Sequence, residues 1–307
     1  MFRKESTDAP FCQIFLAELN PCQTWYTSVD QVTGRVLDVP ATFAPTGLHA
    51  ILFKLILTML TLGSLAYCFL ETDDRPFFFT KFTFIALLLQ CIYHLVSFSN
   101  STCPTLKQPQ EGIVRGRARL TWYLFNMSLH ATIVAALLFW VLDYQASDKL
   151  SLLTLLPHGP TVILTLVDGF WINRIPIRLF HWWSAVLPLQ LGYTGWTLLH
   201  AYLEIGNPTR TENDSESNDD AIYRDIVWKS DPVETLIRFV VVILAVGPAI
   251  QFILFLLSLY SWPLCCRGDC RRYTTSAAAF AEQRSLELKS TASQSHAEEG
   301  SIFANWR

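Results

Sequence analysis

Six apolar runs alternate with short polar segments along the chain, at 48–70, 77–99, 120–142, 151–171, 179–203 and 236–262. Crossing a hydrocarbon core takes about 20 apolar helical residues, and each run is that long. A helix satisfies its own backbone hydrogen bonds in lipid, so the pattern predicts an all-α, polytopic bundle of six transmembrane helices. The fourth run is the most polar, because His158, Pro160 and Asp168 interrupt it. Three regions follow: a tail at 1–47, the six-helix domain at 48–262 and a second tail at 263–307. That second tail is rich in Ser, Ala and Thr, which predicts little packed structure.

Composition sharpens the reading. Hydrophobic residues make up 51% of the 307, charged residues only 16%, and mean hydropathy is +0.29. Of 23 basic and 26 acidic side chains, only Lys54, Lys81, Asp168 and Arg238 fall inside the six runs. A net charge of −3 supplies no basic footprint, so nucleic acid is not an expected partner. Membrane lipids are, and so is a lipid-like small molecule. No run lies close enough to residue 1 to read as a secretory signal, so the first run is expected to be a retained anchor. Near the span ends, ten Lys and Arg lie on the side of residues 1–47 and five on the other. The positive-inside rule therefore predicts an integral protein of an endomembrane or the plasma membrane with both termini cytosolic. It places the acidic 204–235 segment outside or in the lumen, with a glycosylation triplet at Asn213. Cys265, Cys266 and Cys270 beside Arg267, Arg271 and Arg272 form a juxtamembrane palmitoylation candidate.

Polar side chains within the runs recur at helical spacing, and residues three or four apart share a face. Thr80, Thr83, Gln90 and His94 mark the second run, and Tyr123, Asn126 and His130 the third. His158, Thr161, Thr165 and Asp168 mark the fourth, and Gln190, Tyr193, Thr197 and His200 the fifth. The first run carries Lys54 and a few small hydroxyls. Polar groups in lipid turn toward the bundle interior, so these stripes are expected to face inward. Counting residues from the span ends places Thr80, Thr83, His158, Thr161, Thr197 and His200 within roughly 15 Å of the non-cytosolic surface. His94 and Asp168 fall toward the cytosolic side. A threonine hydroxyl beside a neutral imidazole can act as a nucleophile, and Pro160 would leave one carbonyl free to orient a partner. The same side chains can also serve only as hydrogen-bonding glue between helices.

Several segments resemble known membrane families. FFFTKFTFIALLLQ resembles the entry to the second helix of the androgen-inducible family of membrane hydrolases, and PHGPTVILTLVD resembles that family's histidine-bearing helix. Thr80, the stretch from His158 to Asp168, LLFWVLD (Trp140, Asp143) and AIYRDIVW (Ile222, Tyr223, Trp228) together are similar to the pattern of rolling stone-like proteins. The resemblance implies a membrane bundle over about residues 75–262. From the hydrolases it implies cleavage of lipid esters of hydroxy fatty acids with Thr80 as nucleophile and Thr83 as alternate. The position of their catalytic histidine falls on Thr161, which leaves His158 or His200 to act as base. No cofactor and no metal ligand set is expected.

Three functional readings stay open: a lipid-ester hydrolase built on Thr80, His158 and His200; a non-enzymatic scaffold or adhesion and fusion factor; and a haem protein using His94, His130, His158 and His200, whose axial pairs would have to share a depth.

Overall fold

The structure, a computed structural model, describes residues 48–72, 75–102, 116–144, 150–173, 175, 177–205, 222–223 and 226–260. The tails, the Cys265–Cys270 cluster and the Asn213 triplet lie outside them. Among the described residues the fold is helical, with no strand. Helix α1 spans Leu48–Glu71, and a 3-10 turn at Arg75–Thr80 leads into α2, Phe82–Thr102. Helix α3 spans Gly116–Leu138 and ends in a wide π turn, Phe139–Asp143. The fourth run is α4 (Leu152–His158), α5 (Pro160–Leu166) and a π turn, Val167–Ile172. The fifth is a π turn, Trp182–Val186, continued by α6, Leu187–Tyr202. The sixth is α7 (Pro232–Val241), a π turn (Val242–Val246) and α8 (Gly247–Tyr260).

Five of these helical stretches are long and apolar enough to cross a membrane: Leu48–Glu71, Phe82–Thr102, Arg119–Val141, Leu152–Ile172 and Pro232–Ser258. The fifth run is continuous helix from Trp182 to Tyr202, yet it is not among them. Its Trp182, Trp183, Gln190, Tyr193, Trp196 and His200 dilute its hydropathy.

The helix ends have local causes. Ser151 caps α4 by accepting from the Thr154 amide at 3.1 Å. Asp231 caps α7 by accepting from the Glu234 amide at 3.1 Å, with Pro232 in the first turn where a missing N–H costs nothing. Proline explains the irregular turns as well. Pro188 and Pro248 each follow a π turn, in which Leu187 and Gly247 bond to carbonyls five residues back. A proline ring clashes with the carbonyl four residues earlier, and widening the preceding turn relieves it. Pro160 parts α4 from α5, and the Thr161 hydroxyl donates to the Leu156 carbonyl (3.0 Å) that Pro160 cannot serve.

The interior is polar where a soluble core would be apolar. Helix α1 buries Lys54, Leu57, Thr58, Thr61, Ser64 and Cys68, spaced by three and four, and exposes Leu52, Ile56, Met59 and Leu60. Lipid tails offer no hydrophobic contrast, so small and hydroxyl side chains let helices approach while large aliphatic ones face outward. Helix α2 packs between α1 and α3. Helix α3 is central and buries Trp122, Phe125 and Leu129. Two glycines set close approaches: a Cβ on Gly169 would lie 2.0 Å from the Phe125 ring, and one on Gly247 would lie 2.3 Å from Trp182. Gly169→Ala and Gly247→Ala should therefore each destabilise the bundle by about 1–3 kcal/mol. Gly63→Ala meets nothing within 4 Å and should be neutral. Tryptophan-fluorescence thermal melts in detergent read the difference.

Candidate functional site

The inward stripes expected from spacing are inward. Gln90, His94, Asn126, His130, His158, Thr161, Thr165, Asp168, Gln190, Thr197 and His200 are all buried, and Thr80 and Thr83 are half-buried. They form two separate groupings.

The first grouping surrounds a charge. The Lys54 ammonium on α1 donates to Ser97 Oγ on α2, to Asn173 Oδ1 at 2.5 Å and to Asp168 Oδ1 at 3.4 Å. Three donors thus meet three acceptors. Asp168 Oδ2 accepts from the Tyr93 hydroxyl at 2.7 Å and from Asn173 Nδ2 at 2.9 Å, and His94 Nδ1 lies 3.6 Å away. The network continues from His94 Nε2 to the Thr165 hydroxyl at 3.4 Å, and Gln90 donates to that hydroxyl and to the Thr161 carbonyl. Lys54, Tyr93, His94, Ser97, Asp168 and Asn173 are each no more than 2% exposed. Asn173 reaches the cluster because the π turn bonds its amide to the Asp168 carbonyl at 2.8 Å. In a regular α-helix, residues five apart point about 140° away from each other.

The second grouping lies toward the Thr80 end of the bundle. Phe79, Ile85, Pro188, Leu189, Gly192, Tyr193 and Trp196 line a cleft of about 310 Å³. That volume is in the range of small-molecule sites, and the lining is apolar apart from the Tyr193 phenol. The Tyr193 hydroxyl donates to the Thr80 carbonyl at 3.1 Å, and the Thr80 hydroxyl donates to the Phe77 carbonyl at 2.6 Å. The Phe77 ring meets the edge of His200, with centroids 6.5 Å apart, and His200 also packs on Trp196 at 5.9 Å. Neither Thr80 nor His200 lines the cleft; each touches a residue that does, Thr80 through Tyr193 and His200 through Trp196, and both contact Phe77.

His158 is elsewhere. Its ring stacks on Phe139 at 4.1 Å and its carbonyl accepts from Trp140 Nε1 at 3.1 Å. The contacts of His158 are thus with Phe139 and Trp140, and those of Thr80 with Phe77 and Tyr193. Thr161 serves the helix break and the Gln90 contact. The four histidines of the haem reading sit in four different surroundings: His94 by Asp168, His130 by Gln190 and Trp182, His158 by Phe139, and His200 by Phe77. Arg238 pairs with Glu234 at 2.5 Å on α7. Asn100 is buried and donates to the Thr121 hydroxyl at 2.6 Å.

The described part of the 204–235 segment joins the second grouping. The Phe82 amide donates to the Tyr223 phenol at 2.9 Å and to the Tyr193 phenol at 3.1 Å. Desolvation pushes the Tyr223 phenol above its ordinary value, so it stays protonated near neutral pH. Trp228 Nε1 donates to the Thr197 hydroxyl at 3.1 Å, and its ring stacks on Phe239. No family model, curated protein or solved structure matches the chain.

The charged cluster makes a direct energetic prediction. Removing one member of a buried ion pair strands the other and costs about 3–5 kcal/mol, whereas removing both costs less. Lys54→Met and Asp168→Asn should each lower the melting temperature sharply, and the double variant should be more stable than either single. Melts of the three proteins in one detergent form the cycle.

Proposed function

We propose that this chain is a six-span integral membrane protein of the rolling stone and androgen-inducible type, with both ends of the bundle on the cytosolic side. The helix from Trp182 to Tyr202 then crosses beside the five more apolar ones. Its polar stripe faces inward, which is what allows so aromatic a segment to sit in lipid. Cysteines introduced near 178 and 203 in a cysteine-free background should react with a membrane-impermeant maleimide from opposite faces. Labelling from one face would reduce the count to five.

Within that frame we read the cleft as the site of a lipid-like acyl ligand, and Thr80 with His200 as the groups that act on its ester bond. The supporting observation is that both contact Phe77 and each touches a residue lining the apolar cleft, Tyr193 or Trp196, while His158 packs on Phe139. In the reaction, the Thr80 hydroxyl would release its bond to the Phe77 carbonyl and give its proton to the imidazole. The oxygen would attack the ester carbonyl and expel the alcohol, which takes the proton from the imidazolium. Water would then cleave the acyl-threonine by the same route.

A fluorophosphonate probe tests this. The parent protein should label, Thr80→Ala should not, and His200→Gln should label about 100-fold more slowly. An unlabelled parent would favour the scaffold reading, which draws on the Thr80 hydroxyl already being satisfied within its own turn.

A further inference from the structure

The first turn of every helix leaves backbone N–H groups without helical partners, and a side chain just upstream usually accepts from them. Helix α2 begins differently. Its first amide, Phe82, donates to two phenols from distant segments: Tyr193 on α6 and Tyr223 beyond the acidic stretch. Tyr223 is one of two acceptors for that amide, and Tyr193 is the other. Tyr193 in turn donates to the carbonyl of Thr80. The two phenols thus grip both sides of the Thr80–Phe82 junction, its last carbonyl before the helix and its first amide within it. Tyr193 stacks obliquely on Phe82 at 4.8 Å and lines the cleft. The Tyr223 strap is itself held. Ile222 and Trp228 are buried, Trp228 bonds Thr197 one turn from Tyr193, and the Val227 amide bonds the Thr235 hydroxyl at 3.1 Å.

We propose that Tyr193 and Tyr223 are positioning residues for the Thr80 site: their phenolic hydroxyls fix the Thr80–Phe82 junction and with it the turn that carries the Thr80 hydroxyl beside the cleft. This rests on the hydrolase reading of that cleft. The strap from the non-cytosolic loop then belongs to the site even though it contributes no reacting atom. The geometry has a reason. A 3-10 turn ending in Thr80 and an α-helix starting at Phe82 are joined by Lys81 alone, whose carbonyl accepts from the Phe84 and Ile85 amides and leaves the Phe82 amide to the two phenols. Without external acceptors that junction would be free to shift. A displacement of about 1 Å at a reacting group can cost on the order of 100-fold in rate.

The test uses the full-length chain in one detergent, with Tyr193→Phe and Tyr223→Phe, which keep the rings and remove only the hydroxyls. Fluorophosphonate labelling is resolved into its maximal rate and its half-saturating probe concentration, and amide exchange of the 77–86 stretch is followed by mass spectrometry. Both variants should lose about 10- to 100-fold in maximal rate with half-saturation little changed, and exchange at Phe82 and Thr83 should accelerate. Unchanged maximal rates overturn the proposal. So does a loss confined to half-saturation, which would make the phenols cleft lining only. Unchanged exchange overturns it as well, whatever the labelling shows. If the parent does not label, the hydrolase reading falls and with it the catalytic meaning of the grip; accelerated exchange would then show that the grip itself is real.

Discussion

A lysine ammonium inside lipid must be compensated, and in this protein that requirement organises half the bundle. Lys54 is the one Lys, Arg, Asp or Glu of the apolar run 48–70, and it is 1% exposed. Its three donors can be met only if α1, α2 and the π turn after α5 meet at one depth, because Ser97 comes from α2 and Asp168 and Asn173 from the turn. Asp168 needs the same geometry from its own side, through Tyr93 and Asn173. A buried pair of this kind is weak evidence for net stability, since apolar replacements of equal volume do as well. Its consequence is specificity: a helix slipped by one turn would strand a charge. The network therefore fixes register where apolar packing in lipid discriminates poorly.

A second polar node holds the other side of α3. Gln190 on α6 lies 3.2 Å from His130, and Gln251 on α8 donates to the Arg178 carbonyl at 2.9 Å. Trp182 packs on His130 and closes over Gly247, so the wide turns of the fifth and sixth runs meet there. The first node joins α1, α2 and α5, and this one joins α3, α6 and α8. Because α3 also packs on α2, the two nodes make one interior.

Much of this was legible in the residue pattern, because the cost of polar groups in lipid makes spacing informative. The stripes through Gln90 and His94, through Thr161, Thr165 and Asp168, and through Gln190, Thr197 and His200 all face inward as their three-and-four spacing required. Lys54 was visible as an isolated charge, and the hydroxyls at Thr58, Thr61 and Ser64 share its face, so α1 could have been read as a fifth stripe. Asn173 was not legible. Its pairing with Asp168 depends on a π turn, and α-helical periodicity places it on another face. The grouping of Thr80 with His158 rested on depth and on the family resemblance. Depth counts residues from a span end and carries no information about rotation or about which helices are neighbours. His200 reaches the Thr80 side through Phe77, and His158 turns to Phe139. The role of Tyr223 was hidden for a related reason: it lies outside every apolar run, where no period exists to point it anywhere.

The two groupings differ in how their polar atoms are satisfied, and that difference bears on where chemistry can occur. Around Lys54 each ammonium donor has its acceptor, so any movement must break several buried bonds at once. Around Thr80 the hydroxyl is held by one bond within its own turn, the residue is half-buried, and a cleft of about 310 Å³ lies alongside. A group that must exchange its hydrogen-bond partner during a reaction has to sit where that exchange is cheap. The rigid end supplies register, and the open end can then tolerate a hydroxyl tied by a single bond.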